Sequence, residues 1–160
     1  MAISHGFSIA TPMPAARVAR ELTDIGMGAG LFAATVTPER LLGEGAVSGR
    51  GTWIRVVETR PQPWSPLVTD LGITPTVLVA FRFDKEADLA GQEDDTVQLV
   101  VGLLDRVPGD AVLEYQHEII WLLRRGDDLS LHERDDLWPP RRLAAVARPY
   151  RRATHAFSED

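Results

Sequence analysis

The sequence predicts an α+β fold: a single mixed, mainly antiparallel sheet with two long helices packed on one face. Two observations predict it. Amphipathic helical segments separate strand-like runs, and such an order requires crossovers. Near the C-terminal end, two β-prone runs flank the turn-rich stretch "RRGDD", which is a hairpin signal and requires an antiparallel pair. The resulting order is strand, helix, one or more strands, strand, helix, strand, strand, helix, with a ferredoxin-like flavour. At 160 residues the chain fits one α+β domain, 1–160, around one core.

Each element has its own local reason. "GFSIAT" alternates and stops at Pro12, so it reads as the first strand. In "PMPAARVARELTDIGMGAG", Val18, Leu22 and Ile25 share one helical face, while Arg17, Arg20, Glu21 and Asp24 lie off it. Proline opens this helix and Gly26, Gly28 and Gly30 close it. Thr37-Pro38-Glu39 resembles a helix start, but Gly43 and Gly45 end it within about two turns. "GTWIRVVET" is a β-branched, aromatic strand ended by "PQPW". "PTVLVAFRFD" is a second, and its near-continuous apolar run predicts burial on both faces. Between them, "RPQPWSPLVTDLGIT" is a long proline-rich loop of a kind that often carries function.

"EADLAGQEDDTVQLVVGLLDRV" is the clearest helix. Val97, Val100, Val101 and Leu104 form its apolar face; Glu93, Asp94, Asp95, Gln98 and Asp105 form the side expected to be solvated, and Pro108-Gly109-Asp110 terminates it. "AVLEYQHEIIWLL" and "LSLHE" read as the hairpin strands. A two-residue loop at Gly126-Asp127 pairs Arg125 with Asp128, Leu123 with Ser130 and Trp121 with His132. "WPPRRLAAVARP" reads as a short last helix entered through proline.

Composition excludes several chemistries. A net charge of −6 and a pI near 5.2 argue against a general nucleic-acid binder and weakly favour a basic partner. The absence of cysteine removes disulfides, thiolate catalysis and zinc–thiolate sites. Lys85 is the only lysine. The N-terminal stretch has no basic region followed by an apolar one, and "VLVAF" and "IIWLL" are too short to span a bilayer, so a cytoplasmic protein without a membrane partner is expected.

The stretch "YQHEIIWLLRRGDDLSLHERDDLWPP" concentrates the candidate chemistry. "HEIIW" puts Trp121 where a helical zinc motif needs its second histidine. On one hairpin, His117 lies about four residues beyond the position facing His132, roughly 13 Å away at ~3.3 Å per residue. No metal and no cofactor are therefore expected. The acidic pairs each have a structural reason. Asp127 and Asp128 suit a turn, Asp135 and Asp136 suit the cap of the last helix, and Asp94 and Asp95 suit the first half of a helix. "GAVSG" lacks the serine-hydrolase elbow spacing, "GMGAG" follows a helix rather than a strand, and no phosphate-binding lysine loop exists. Arg141, Arg142, Arg148, Arg151 and Arg152 are expected to pair with acids of the preceding hairpin or with solvent.

Taken together, "GTWIRVVE" with "PQPW", "VTDLGITPTVLVAFRFDKE", "LLDRVPGDAVLEYQHEIIWLLRRGDDLSLHERDD" and "WPPRRLA" resemble the SitI-like immunity proteins, partners of the swapped inherited toxins of myxobacteria, in their actinobacterial type. The resemblance runs from about Phe7 to Tyr150. It implies a protein that binds and neutralises a cognate toxin in the cytoplasm, by stoichiometric contact rather than catalysis. It carries no motif of toxin-contacting residues.

Three readings follow: the immunity-type binding protein; an enzyme assembled from His117, Glu118, Glu133 and Asp135; and a structural or small-ligand-binding domain using the 61–75 loop and Trp64. For the first, the expected partner surface is the hairpin tip and following turn, with Asp127, Asp128, Asp135, Asp136 and Trp138. The helix face at Glu93, Asp94 and Asp95 comes next. An aromatic anchor ringed by acids suits a basic toxin. The alternative for Trp138 is a place in the core beneath "WPP".

Overall fold

The structure, a computed structural model, describes residues 3–158. The chain opens with β1 (Ile3–Ala10), which feeds α1 (Ala15–Gly28). α2 (Pro38–Leu42) starts at Thr37, whose hydroxyl accepts from the Arg40 N–H at 3.2 Å, and it stops at Gly43. Then come β2 (Ala46–Val47), β3 (Trp53–Glu58), α3 (Pro66–Thr69) and β4 (Val77–Phe83). α4 (Leu89–Arg106) is capped by the Asp88 carboxylate, which accepts from the Gly91 N–H at 3.1 Å. β5 (Asp110–Tyr115), β6 (Ile119–Arg125), β7 (Asp128–Leu131), α5 (Pro140–Leu143) and β8 (Arg151–Arg152) complete the described chain.

These strands form one sheet in the order β2-β3-β4-β1-β5-β6-β7-β8. Every neighbouring pair is antiparallel except β7–β8, which is parallel. The mixed, mainly antiparallel α+β sheet is thus as expected. Its centre, β1-α1-β3-β4-α4-β5 with spatial order β3-β4-β1-β5, is the split βαβ arrangement of ferredoxin-like sandwiches.

The main core lies between α1, α4 and one face of the sheet. Val18 and Leu22 of α1 meet Val97, Val100, Val101 and Leu104 of α4 over Phe7, Ile9, Val79 and Phe81. All ten are buried, and each contributes on the order of 1.5–3 kcal/mol. A smaller cluster occupies the other face, where Leu67, Leu71 and Ile73 pack on Val112, Ile120 and Leu123. The proline-rich loop therefore includes α3 and covers part of the sheet.

The hairpin register matches the expected one. Arg125 faces Asp128, Leu123 faces Ser130, and the His132 N–H donates to the Trp121 carbonyl at 3.0 Å. Gly126 takes the left-handed φ of 57° that the tip requires.

Five expectations are corrected. The run 111–123 is not one strand: it turns at Gln116 and His117, both at positive φ (51° and 57°), so β5 and β6 are a second hairpin. His117 leaves the sheet, and the strand-length estimate of its separation from His132 no longer applies. β4 is not buried on both faces: Leu78 and Ala80 are half-buried and Arg82 is exposed, because the open face of the sheet is only partly covered. Asp95 is buried rather than solvated. Asp135 and Asp136 do not cap the last helix, whose N-cap is Pro139 without a side-chain bond. Trp138, offered as a surface anchor, is 1% exposed.

Candidate partner-binding site

Three places gather polar side chains, and the fold gives each a different status. The first is the pair of acidic turns at the two ends of β7, which the fold does not bring together: Asp127 lines a hollow with Asp105 and Arg106 at the C-terminal end of α4, and Asp136 lines one with Leu89 and Glu93 at its N-terminal end. Asp128 accepts from Arg151 Nε at 2.8 Å and Nη2 at 3.0 Å, and this two-point bond holds its carboxyl below the usual range. Asp136 takes the same kind of bond from Arg134, at 3.0 and 2.6 Å, with the same effect on its pKa. Asp127 and Asp135 are exposed and make no side-chain hydrogen bond or ion pair among the described residues. Each turn therefore holds one neutralised and one open acid. Trp138 belongs to the core, its indole N–H donated to the Trp121 carbonyl at 2.9 Å.

The second place is the acidic start of α4, which is tied to the C-terminal arginines. Arg142, 3% exposed, donates to Asp94 Oδ1 at 2.6 Å, Glu93 Oε1 at 3.2 Å and the Leu137 carbonyl at 2.8 Å. Arg141 reaches Asp94 at 3.3 Å, and Arg50 pairs with Asp95 at 3.1 Å. Burial pushes the Glu93 and Asp95 carboxyls up despite these cations. Burial also acts to raise Asp94, but bonds from Arg142 and Arg141 outweigh it and hold that carboxyl down. Glu93 and Asp94 share Arg142 yet shift in opposite directions. The shorter bond and lesser burial of Asp94 account for that.

The arginine run was expected to pair with the hairpin acids or solvent. Arg151 does pair there, Arg148 pairs with Asp105 at 2.8 Å, and Arg141 and Arg142 turn to α4 instead.

The third place was not foreseen as a unit. A cavity of about 540 Å³ opens on the uncovered face of the sheet, between the 59–75 segment and the Gln116–His117 turn. Trp64, 75% exposed, stands at its edge. Ser4, Gly6, Ser8 and Ala80 line it from β1 and β4. Glu114 of β5, 6% exposed, also lines it. Its Oε2 accepts from the His117 backbone N–H at 2.5 Å, and its Oε1 lies 4.0 Å from His117 Nε2. Gly6 lies close beneath it: a Cβ there would come within 2.7 Å of Glu114 Oε1, so that carboxyl would have to shift. Burial raises the Glu114 carboxyl, and the bond from the His117 N–H opposes that rise. The sequence did hold a signal for Glu114. In "AVLEY" it is an acid inside an apolar run, on the opposite face from Leu113 and Tyr115.

Of the residues considered for catalysis, His117 has Glu114 as its carboxylate neighbour. None of His117, Glu118, Glu133 and Asp135 hydrogen-bonds or ion-pairs through its side chain with another of the four. Among the described residues, no group of three or more histidines and acids is placed to hold a metal ion, and no helix is long and apolar enough to cross a membrane.

His5 is the remaining unusual group. It is 5% exposed, and neither ring nitrogen has a partner. It stacks on Phe83 at 4.7 Å and meets Tyr115 and Trp121 at 5.0 and 5.2 Å. Burial, with the nearby Arg142 charge, lowers its pKa to about 4.

Fold and sites together define a small ferredoxin-like α+β sandwich whose polar groups gather at the turns on either end of β7, one helix face and one open sheet face. A protein-family model described as SitI3-like matches residues 3–142, and the chain belongs to that family. This bears out the resemblance to SitI-like immunity proteins read from the sequence. No curated protein and no solved structure matches the chain.

Proposed function

We propose that the chain is an immunity protein, which binds a cognate bacterial toxin in the cytoplasm and neutralises it by stoichiometric protein–protein contact. The observation that carries this reading is family membership over residues 3–142. The charge distribution supports it. A chain of net charge −6 with open acids at Asp127 and Asp135 accelerates encounter with a basic partner surface. Asp128, Asp136, Glu93, Asp94 and Asp95 extend the same negative potential while being held in place by arginines. Inhibition by contact needs no reactive group on the inhibitor, so this reading assigns no catalytic residue and no cofactor.

Co-expression tests the proposal. A toxin from the gene next to this one is induced with and without the chain, and growth is scored. Restored growth together with a one-to-one complex supports the reading; undiminished toxicity at equal expression removes it.

A further inference from the structure

Glu114, 6% exposed, is the one acid among the described residues that line the cavity on the open sheet face, and no lysine or arginine lines it. Its Oε2 accepts from the His117 N–H at 2.5 Å, and its Oε1 lies 4.0 Å from His117 Nε2. Oε1 lies over Gly6, in the wall of a cavity of about 540 Å³ that opens beside the exposed Trp64 indole. The site thus offers a fixed negative charge, a hydroxyl-bearing floor at Ser4 and Ser8, and an aromatic face.

We propose that this cavity receives a cationic side chain, best an arginine, presented by the protein partner. The inference rests on the immunity reading and assigns part of its interface. Charge complementarity selects a cation, because the described lining holds one acid and no lysine or arginine, and any occupant covers that acid from water. A guanidinium fits better than an ammonium. Its plane stacks on an indole while an edge N–H reaches a carboxylate, and it sheds water more readily. The turn is preorganised for the purpose. Gln116 and His117 hold left-handed backbone angles that non-glycine residues rarely adopt, and the Glu114 bond to the His117 N–H pins that geometry. Burial raises the free Glu114 carboxyl, and an arriving cation stabilises its ionised form, so binding weakens as the carboxyl is protonated.

Two measurements test the proposal. In the first, Nα-acetyl-arginine methylamide is titrated into the ¹⁵N-labelled protein, with the citrulline analogue as the uncharged control. Saturable shifts at the Trp64 indole N–H and at the Gly6 and His117 amides are expected with arginine and not with citrulline. Glu114→Gln and Trp64→Ala should each weaken the effect by about tenfold. Trp64 is exposed, so its variant keeps the proposal testable even where Glu114→Gln perturbs the turn. Equal response to citrulline, or none at these groups, overturns the proposal. In the second, growth protection against the neighbouring toxin is compared for wild type and both variants. Loss of protection in folded variants supports the interface. Full protection by both overturns this inference alone, whereas failure of the wild type to protect overturns the immunity reading and this inference with it.

Discussion

The guanidinium of Arg142 lies 5.6 Å above the ring of Trp121, sealed between the sheet and the acidic start of α4. Trp121 is placed there by a β-bulge. Leu113 faces Leu122 and Glu114 faces Ile120, so Trp121 is the extra residue of β6. It turns toward Trp138, 6.4 Å away, on the helix side. Arg142 then bridges Leu137, Glu93 and Asp94, tying the C-terminal segment to α4. Replacing Arg142 with methionine is expected to cost about 2–4 kcal/mol in urea unfolding, because Glu93 and the Leu137 carbonyl lose this partner and Asp94 keeps only Arg141. A change below about 0.5 kcal/mol would mean the cluster adds nothing to stability.

His5 makes the fold acid-sensitive. Its native pKa is about 4 against 6.5 for the free side chain, so the unfolded chain takes up a proton that the native one refuses. The contribution is fully present above pH 6.5 and is lost as pH falls through that window toward 4, amounting to about 3 kcal/mol at most. His5→Phe is expected to remove this part of the pH dependence and to raise stability at pH 7, since it deletes two unpaired ring nitrogens. Thermal melts from pH 4 to 7 on both proteins are the check; parallel curves would count against the assignment.

Arg124 closes the C-terminal end of α4 from across the fold. It is 5% exposed and donates to the carbonyls of Leu104, Val107 and Gly109 at 2.7, 2.6 and 2.9 Å. A cation at that end also suits the helix dipole. Arg124→Met is expected to cost about 3 kcal/mol and to speed amide exchange in the last turn of α4. Unchanged exchange there would show that water replaces the guanidinium without loss.

Gln92 staples the start of α4 to the strands. Fully buried, it accepts from the Thr52 hydroxyl at 3.0 Å and the Asp84 N–H at 2.9 Å, and it donates to the Asp84 carbonyl at 2.8 Å. Gln92→Leu keeps the volume and leaves those groups without partners, so a loss of about 2–3 kcal/mol is expected by chemical denaturation.

For the proposed toxin contact, the open acids are the ones to change. Asp127→Asn with Asp135→Asn is expected to slow association roughly two- to tenfold at low salt, with the difference fading at higher ionic strength and the dissociation rate little altered. Stopped-flow mixing over a salt series reads this out. Rates indifferent to both charge and salt would place the contact away from both acidic turns.

Much of the fold was legible because local chemistry decides it. The α4 stripe of Val97, Val100, Val101 and Leu104 faces the core because a period near 3.6 admits one such face. The β6–β7 register follows from a two-residue tip and alternation on either side. The β5–β6 turn was missed because Gln116 and His117 carry no turn signature. Their left-handed angles depend on a carboxylate two and three positions back, and apolar strand residues on both sides hide the break. The acid pairs were read as one surface, but they lie at the two ends of β7, and the state of each acid was not legible. Whether an aspartate is open, as at Asp127, or neutralised, as at Asp128, depends on where Arg151 arrives from 23 positions away.

By itself, then, the sequence determined the α+β class, the two long helices, the final hairpin and the thiolate chemistries that a cysteine-free chain cannot perform. These are properties of composition and of short-range periodicity. Tertiary structure alone decided that Trp138 is core, that Asp95 is buried, that Arg142 finds Asp94 across 48 positions, and that Glu114 shares one cavity with Trp64. Burial and pairing belong to whichever elements the sheet order brings together. The free energy of a charge is set by those neighbours, not by the residues beside it in the chain.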